Sequence, residues 1–271
     1  MQKLVPAAGV EVIEIASPLF TDYAQKQRLL KLPAGKKVML NGDSLPIFPE
    51  GTIIAKTFYY PTARQIIETR LLLLKDHKWN VATYRWDKDQ KNATLLTAGA
   101  IVPVSLGNRK LAYKIPSQGD CGSCHRSGNE ISPIGPKAAN LNISVHREGS
   151  QQNQLAYLMN KGMIAHADIT SIASLPAYSD TTLPVSIRAR AYLEINCAHC
   201  HQPSGMAANT SVMLGYFTPY DKTGIEFNKQ NMLIRMSTMG EFHMPKTGTT
   251  IIDAEGLQLV RKYIKDLNSG N

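Results

Sequence analysis

The chain has 271 residues, a length that predicts one large domain or two modest ones. Its net charge is +9, its hydrophobic fraction 43% and its charged fraction 19%, which together exclude wholesale disorder. The basic residues are scattered and form no nucleic-acid recognition motif, so we predict an acidic protein partner rather than a nucleic acid. No apolar run approaches the ~18 residues that a membrane span needs, so we predict no membrane span.

The first half of the chain has the pattern of strands. Its first ~45 residues contain Pro and Gly breakers and one candidate short helix, Tyr23–Leu30. Segments rich in β-branched and aromatic residues then follow one another at short spacing. The predicted strands are Gly51–Tyr60, Gln65–Leu74, Trp79–Trp86, one or two within Ala93–Leu106, and, after a turn at Gly107-Asn108, Leu111–Ile115. We therefore expect an antiparallel β-sandwich-like domain over residues 1–115.

The second half changes to a pattern of helices and loops. Three helices are predicted at Ser150–Met163, Pro184–Ile195 and Asp253–Leu267, the last with Asp253 as its N-cap. The predicted fold class is therefore α+β, with the β-rich domain followed by a mostly α-helical region over residues 116–271.

All four cysteines lie in two Cys-x-x-Cys-His motifs. The first contains Cys121, Cys124 and His125, and the second contains Cys197, Cys200 and His201. This motif is typical of c-type haem attachment, because two thiols form thioethers with the haem vinyl groups and the adjacent histidine binds the iron. We therefore predict two covalently attached haem c groups and a mostly α-helical cytochrome c region, with the first haem in residues 116–183 and the second in 184–271.

Two other interpretations of the cysteines are weaker. A four-thiolate zinc site does not need a histidine after each pair, and the gap between the pairs is longer than in zinc ribbons. A thioredoxin-like redox pair would lie in a βαβ context, which neither motif has. Haem attachment takes place after export, so we expect a periplasmic or extracellular protein whose leader is absent from this chain.

The sixth iron ligands are predicted from position. Met244 is followed by Pro245 just before the last helix, and we assign it to the second haem, with Met236 and Met239 as rivals. For the first haem we place Met163 first, at the end of a predicted helix. The remaining options are His166, His146, Met159, His77 from the β-rich part, or a five-coordinate iron.

Several segments outside the motifs resemble a largely uncharacterised family of bacterial exported dihaem c-type cytochromes with an N-terminal β-rich domain. They include Pro18–Ala24, Phe48–Thr52, Lys56–Pro61, Ile67–Leu71, Gly135–Lys137 and Arg188–Leu193. The resemblance extends from about Ile15 to the C-terminal helix. It implies an exported electron-transfer protein of Gram-negative bacteria, and it supplies no substrate or partner.

Three functions are compatible with this sequence. We expect periplasmic electron transfer, in which the two haems relay electrons between redox partner proteins. The alternative is a peroxidase- or oxidase-like dihaem enzyme with an open first haem and Glu130, His146 or His166 as its acid or base. A binding role for the β-rich domain would involve its polar and aromatic groups, namely Glu14, Asp22, Trp79 and Trp86.

Overall fold

Six antiparallel strands form the largest sheet and follow one another in chain order. They are β1 (Val10–Val12), β2 (Gln25–Lys31), β3 (Ile53–Tyr60), β4 (Gln65–Lys75), β5 (Lys78–Trp86) and β6 (Ala93–Leu96). This computed structural model describes residues 4–107 and 109–269. Strands β3, β4 and β5 confirm the three strands predicted between residues 51 and 86.

A separate hairpin packs against this sheet. It consists of β7 (Ala100–Leu106) and β8 (Arg109–Ile115), and its predicted turn includes Asn108, which lies outside the described residues. The hairpin and the sheet share one apolar cluster, in which the rings of Tyr60 and Tyr113 meet edge to face at 6.1 Å. A hairpin on a meandering sheet thus takes the place of the expected sandwich.

After residue 115, short helices alternate with small hairpins and loops. The helices are α1 (Gln118–His125), α2 (Ala138–Leu141), α3 (Gln154–Asn160), α4 (Val185–Asn196), α5 (Ile225–Ser237) and α6 (Ala254–Ser269). The hairpins are β9 (Arg126–Ser127) with β10 (Glu130–Ile131), and β11 (Ser144–Arg147) with β12 (Ser150–Asn153). Single 3₁₀ turns lie at Ile169–Ser171 and Tyr220–Lys222.

The predicted fold class, α+β with a mostly α-helical cytochrome c region, is wrong. The chain has a mostly β-sheet fold with antiparallel sheets, in which 27% of the residues are in strands and 25% are in helices. The physical reason lies between α1 and α4, where no long segment keeps an apolar period of 3.6 residues and the backbone forms hairpins and loops instead. Within the described ranges, no helix has the length and apolar character that crossing a bilayer would require.

Two predicted helices are also corrected. The segment Tyr23–Leu30 mostly forms strand β2, because its backbone pairs with β3. The predicted helix Ser150–Met163 begins as strand β12 and becomes helical only in α3, where the Asn153 side chain accepts hydrogen bonds from two backbone amides and caps the helix. Helices α4 and α6 confirm the other two predictions, and Asp253 caps α6 by accepting the Gly256 amide at 2.9 Å.

The two halves of the chain share a hydrophobic core. Leu30, Ile54 and Leu72 from the sheet pack in one cluster with Leu141 and Leu155, which come after the predicted boundary at residue 115. Burial of this shared apolar surface therefore stabilises the two halves together.

The segment before β2 ties the sheet to the rest of the chain. The backbone amide of Phe20 donates to Asn196 at the end of α4, at 2.7 Å. The buried carboxylate of Asp22 accepts hydrogen bonds from the amide and the hydroxyl of Thr250, at 2.8 and 2.7 Å. These bonds hold the start of α6 and the end of α4 against the sheet.

Helices α4 and α6 approach closely where they cross. A Cβ atom at Gly256 would lie 2.3 Å from the ring of Tyr192, a residue that is 3% exposed. The Tyr192 hydroxyl also donates to Asp253 at 3.0 Å. The absence of a side chain at residue 256 therefore sets the distance between the two helices.

We expect Gly256→Ala to lower the free energy of unfolding by about 2 kcal/mol, because the added methyl group overpacks the Tyr192 ring. The matched control is Gly119→Ala in α1, where the new Cβ would make only an ordinary contact at 3.8 Å. Urea denaturation of both variants measures the difference. Equal stability of the two variants would show that the crossing tolerates a side chain.

Candidate functional site

The first Cys-x-x-Cys-His motif lies on α1, which a capping box starts. The Ser117 hydroxyl accepts the Asp120 amide at 3.3 Å, and the Asp120 carboxylate accepts the Ser117 amide at 2.9 Å. These two bonds satisfy backbone donors at the start of a helix of only 8 residues. The capping box therefore fixes the first residue of α1, the helix that carries Cys121 and Cys124.

The His125 ring is fixed by one hydrogen bond at the end of α1. Its Nδ1 atom lies 2.8 Å from the carbonyl oxygen of Ser132, which can only accept, so Nδ1 carries the proton. Burial, followed by the charge of Lys56, lowers the pKa of His125 to about 3. The ring is therefore neutral at pH 7, with the lone pair on Nε2, as an iron-binding histidine requires.

The second motif repeats this arrangement at the end of α4. The amides of Cys200 and His201 both donate to the carbonyl of Cys197, at 3.1 and 3.0 Å, and so close a helical turn. The Nδ1 atom of His201 lies 3.3 Å from the carbonyl oxygen of Val212, and burial lowers the pKa of this histidine. Both motif histidines thus direct Nδ1 to a backbone carbonyl and leave Nε2 for a ligand.

The two motifs are in contact. The Cys200 thiol donates to the carbonyl of Ser123, inside the first motif, at 3.7 Å. Next to this contact, the Gly128 amide of the β9–β10 turn donates to Ser204 at 2.8 Å. Although 72 residues separate Cys124 from Cys197 in the sequence, the fold places the two motifs side by side.

A cavity separates the first motif from the sheet. Its walls include Lys56 and Arg70 of the sheet, both cysteines and the histidine of the first motif, and the loop at 245–249. The cavity volume is about 90 Å³, below the roughly 300–1,000 Å³ of typical ligand pockets. A porphyrin in this position therefore requires α1 or the 245–249 loop to lie farther from the sheet.

Three basic residues lie side by side on the face of the sheet that borders this cavity. Arg28 of β2, Lys56 of β3 and Arg70 of β4 are directly opposite one another in the register. Like charges in such cross-strand positions repel. Arg70 is neutralised by the buried Glu68, whose carboxylate accepts its Nε and Nη2 donors at 2.8 and 2.5 Å.

Lys56 has no such counter-ion. Among the described residues, no hydrogen-bond or ion-pair partner reaches its ammonium group, and the partly buried side chain lines the cavity between the sheet and the first motif. Burial and the neighbouring charges of Arg28 and Arg70 lower the pKa of Lys56 from 10.5 to about 7. The cavity therefore favours an anionic group, such as a carboxylate, beside Lys56.

The donor set fits haem attachment better than zinc binding. Each cysteine pair is followed directly by a histidine whose Nδ1 atom meets a backbone carbonyl, an arrangement that a four-thiolate zinc site does not need. In the described part of the chain, no three or more His, Cys, Asp or Glu side chains are arranged to hold a metal ion. The pairs of thiols and the neutral histidines match the needs of thioether formation and axial ligation.

Neither Met163 nor Met244, the two predicted sixth ligands, lines the cavity of the first motif. Met163 packs in the cluster that joins the sheet to α3, and it does not line the cavity beside His125. Met244 and Met236 line a smaller cavity, which also borders Asn196 at the C-terminal end of α4. The other options for the first haem either lie on the surface or pack in the core, and they are His77, His146, His166 and Met159.

The residues considered for a binding role of the sheet have structural partners. Asp22 holds Thr250, as described above, and Trp86 donates to the hydroxyl of Thr69 at 3.0 Å. Trp79 packs edge to face on Phe48 at 5.5 Å. Glu14 forms an ion pair with Arg147 at 2.8 Å on the rim of an open groove.

Sequence reasoning missed two residues of the site, Lys56 and His199. Lys56 alternates with Ile54 and Phe58 on one face of a predicted strand, and a basic residue between two apolar ones on a core-facing side is a usable signal. His199 lies between the cysteines of the second motif, and its side chain lines the cavity of the first motif.

Between pH 7 and pH 10.5 the unfolded chain keeps a proton on Lys56 that the folded chain has lost, so we expect Lys56 to contribute a rise in stability over this range. Lys56→Met removes this contribution, so the variant should be more stable than the parent at pH 6, and its advantage should shrink as the pH rises to 10.5. Lys88→Met, at an exposed lysine, is the control. Urea unfolding at several pH values gives the comparison, and parallel profiles of Lys56→Met and the parent would contradict the burial of an uncompensated ammonium group.

Comparisons with protein-family models, curated proteins and solved structures gave no match for this chain. The resemblance to exported dihaem cytochromes therefore remains a prediction based on sequence motifs. The function has to be inferred from the two motifs, their contact and the cavity between the first motif and the sheet.

Proposed function

We propose that this chain is a dihaem c-type protein that transfers electrons between redox partners. The observation that carries the proposal is the contact of two Cys-x-x-Cys-His turns with matching geometry. In each turn the histidine Nδ1 atom meets a backbone carbonyl, at 2.8 Å for His125 and 3.3 Å for His201. Adjacent attachment sites suit an electron relay, because electrons then move between neighbouring redox centres.

The residues of the two turns have distinct roles in this proposal. Cys121 and Cys124 would hold one haem, and Cys197 and Cys200 would hold the other. When bound, each haem supplies a centre that takes up and releases one electron. The carbonyls of Ser132 and Val212 keep the two histidine rings oriented and unprotonated on Nε2, which strengthens them as ligands.

The sheet would control the environment of the first haem. Ile54, Phe58 and Leu72 form apolar parts of the cavity wall and exclude water. Lys56 places a positive charge beside them, which favours the reduced state of a nearby iron and pairs with a carboxylate of the bound group. For the second haem we keep Met244 as the sixth ligand, since it and Met236 line one small cavity at the end of α4.

Partners and location follow from the same proposal. The net charge of +9 would steer an acidic redox partner towards the protein. Covalent haem attachment takes place after export, which places the protein in the periplasm or outside the cell. Nucleic-acid binding is not part of the proposal.

The enzymatic alternative gains no support from the residues it would need. Glu130, His146 and His166 are all exposed, and none of them lines the cavity of the first motif. General acid–base catalysis requires a group within hydrogen-bond reach of the reacting atoms. No observation in the described ranges favours this alternative.

The electron-transfer proposal predicts two one-electron steps per chain in a redox titration. The ferric optical and EPR spectra should show two low-spin haems, and neither carbon monoxide nor peroxide should change the spectra, because a relay needs no open coordination site. The double variant Cys121→Ala/Cys124→Ala is the matched control and should give one step. Carbon monoxide binding or peroxide turnover by the parent protein would overturn the proposal in favour of an enzyme, and a chain without haem would overturn it altogether.

A further inference from the structure

His199 faces away from the cysteines on either side of it. The second motif forms a helical turn, and at 100° per residue Cys197, Cys200 and His201 lie on one side of that turn while residue 199 lies on the other. The first motif is reached from both sides, by the Cys200 sulfur next to Ser123 and by His199. The His199 side chain lines the same cavity as Cys121, Cys124 and His125.

The His199 imidazole is buried without full hydrogen bonding. Its Nδ1 atom is buried and makes no hydrogen bond among the described residues, and such an orphaned polar atom destabilises a fold. An imidazole that borders a cavity and has an unpartnered ring nitrogen is suited to bind a group placed in that cavity.

Other candidate ligands are less well placed. The histidines at positions 77, 146 and 166 are exposed, and Met163 packs in another cluster. Lys56 is the competing group, because it also lines the cavity and lacks a partner. An ammonium group must lose its proton before it can bind iron, whereas imidazole is a common axial ligand of haem iron.

We propose that His199 is the sixth iron ligand of the first haem, so that the second motif supplies a ligand to the neighbouring one. This inference rests on the proposed dihaem function and answers the question that the sequence left open for the first haem. The first iron is then six-coordinate between His125 and His199, and small molecules do not reach it. Ligation also fixes the two motifs to each other, since Cys197 and Cys200 hold the second haem on the same turn.

The test compares two variants of the full haem-loaded protein. His199→Ala should convert one of the two haems from low-spin to high-spin, allow it to bind carbon monoxide at one equivalent per chain, and make its spectrum respond to added imidazole. The control His146→Ala removes an exposed histidine and should leave both haems low-spin. Covalent haem content, measured on the same samples, should stay at two per chain.

A second substitution keeps a ligand in place. His199→Met should preserve a low-spin first haem, add a sulfur-to-iron absorption band and raise its reduction potential, since thioether ligation favours the reduced iron. If His199→Ala fails to fold or to retain haem, His199→Met still tests whether residue 199 is the sixth ligand of the first haem.

Specific outcomes would overturn the inference. Two low-spin haems in His199→Ala, or an unchanged spectrum and potential in His199→Met, would exclude His199 as a ligand. A high-spin haem in Lys56→Met, with His199→Ala unchanged, would assign the ligand to Lys56 instead. Absence of covalent haem from the parent protein would count against the proposed function itself and is distinguished by the haem content.

Discussion

The packing of the two Cys-x-x-Cys-His turns against each other, where the Cys200 sulfur lies 3.7 Å from the carbonyl oxygen of Ser123, is the constraint on which the rest of the structure depends. On one side, the capping box of Ser117 and Asp120 starts α1, so the first motif begins at a defined place. On the other side, α4 carries the second motif and is held by the close crossing of α6. The hydrogen bond from the Phe20 amide to Asn196 holds the end of α4 near the sheet. The bonds from Thr250 to Asp22 hold the start of α6 in the same way. The two motifs are therefore adjacent because of long-range packing, and not because of their own sequence.

The sheet forms one wall of the cavity beside the first motif, and the positive charges on that face of the sheet restrict which groups the cavity can hold. Glu68 compensates one of the three basic residues that lie across β2, β3 and β4, and Lys56 in the middle has no partner among the described residues. An uncompensated ammonium group in a closed cavity destabilises the folded chain. That cost is reduced when a negatively charged group occupies the cavity, so Lys56 and the thiols of the first motif favour the same kind of occupant, an apolar group with carboxylates.

Local patterns predicted only part of this arrangement. The strands β3 to β5 and the helices α4 and α6 were readable because their apolar periodicity is strong over many residues. The two Cys-x-x-Cys-His motifs are recognisable in the sequence because they are defined by spacing within five residues, and haem attachment at them stays a prediction. The fold class was wrong because the weakly periodic segment between α1 and α4 was assigned to helices. Ligand positions such as Met163 and His199 depend on which distant segments meet, and spacing along the chain carries no information about that.

The central claim is that both motifs carry covalent haem, and the intact mass of the exported protein tests it most directly. Produced in a host with c-type haem maturation, the chain should gain the mass of two haem groups, and the variant Cys197→Ala/Cys200→Ala should gain one. Digestion should place one haem on the peptide with Cys121 and Cys124 and the other on the peptide with Cys197 and Cys200. An unmodified mass under these conditions, with all four thiols free to react with an alkylating reagent, would contradict the account.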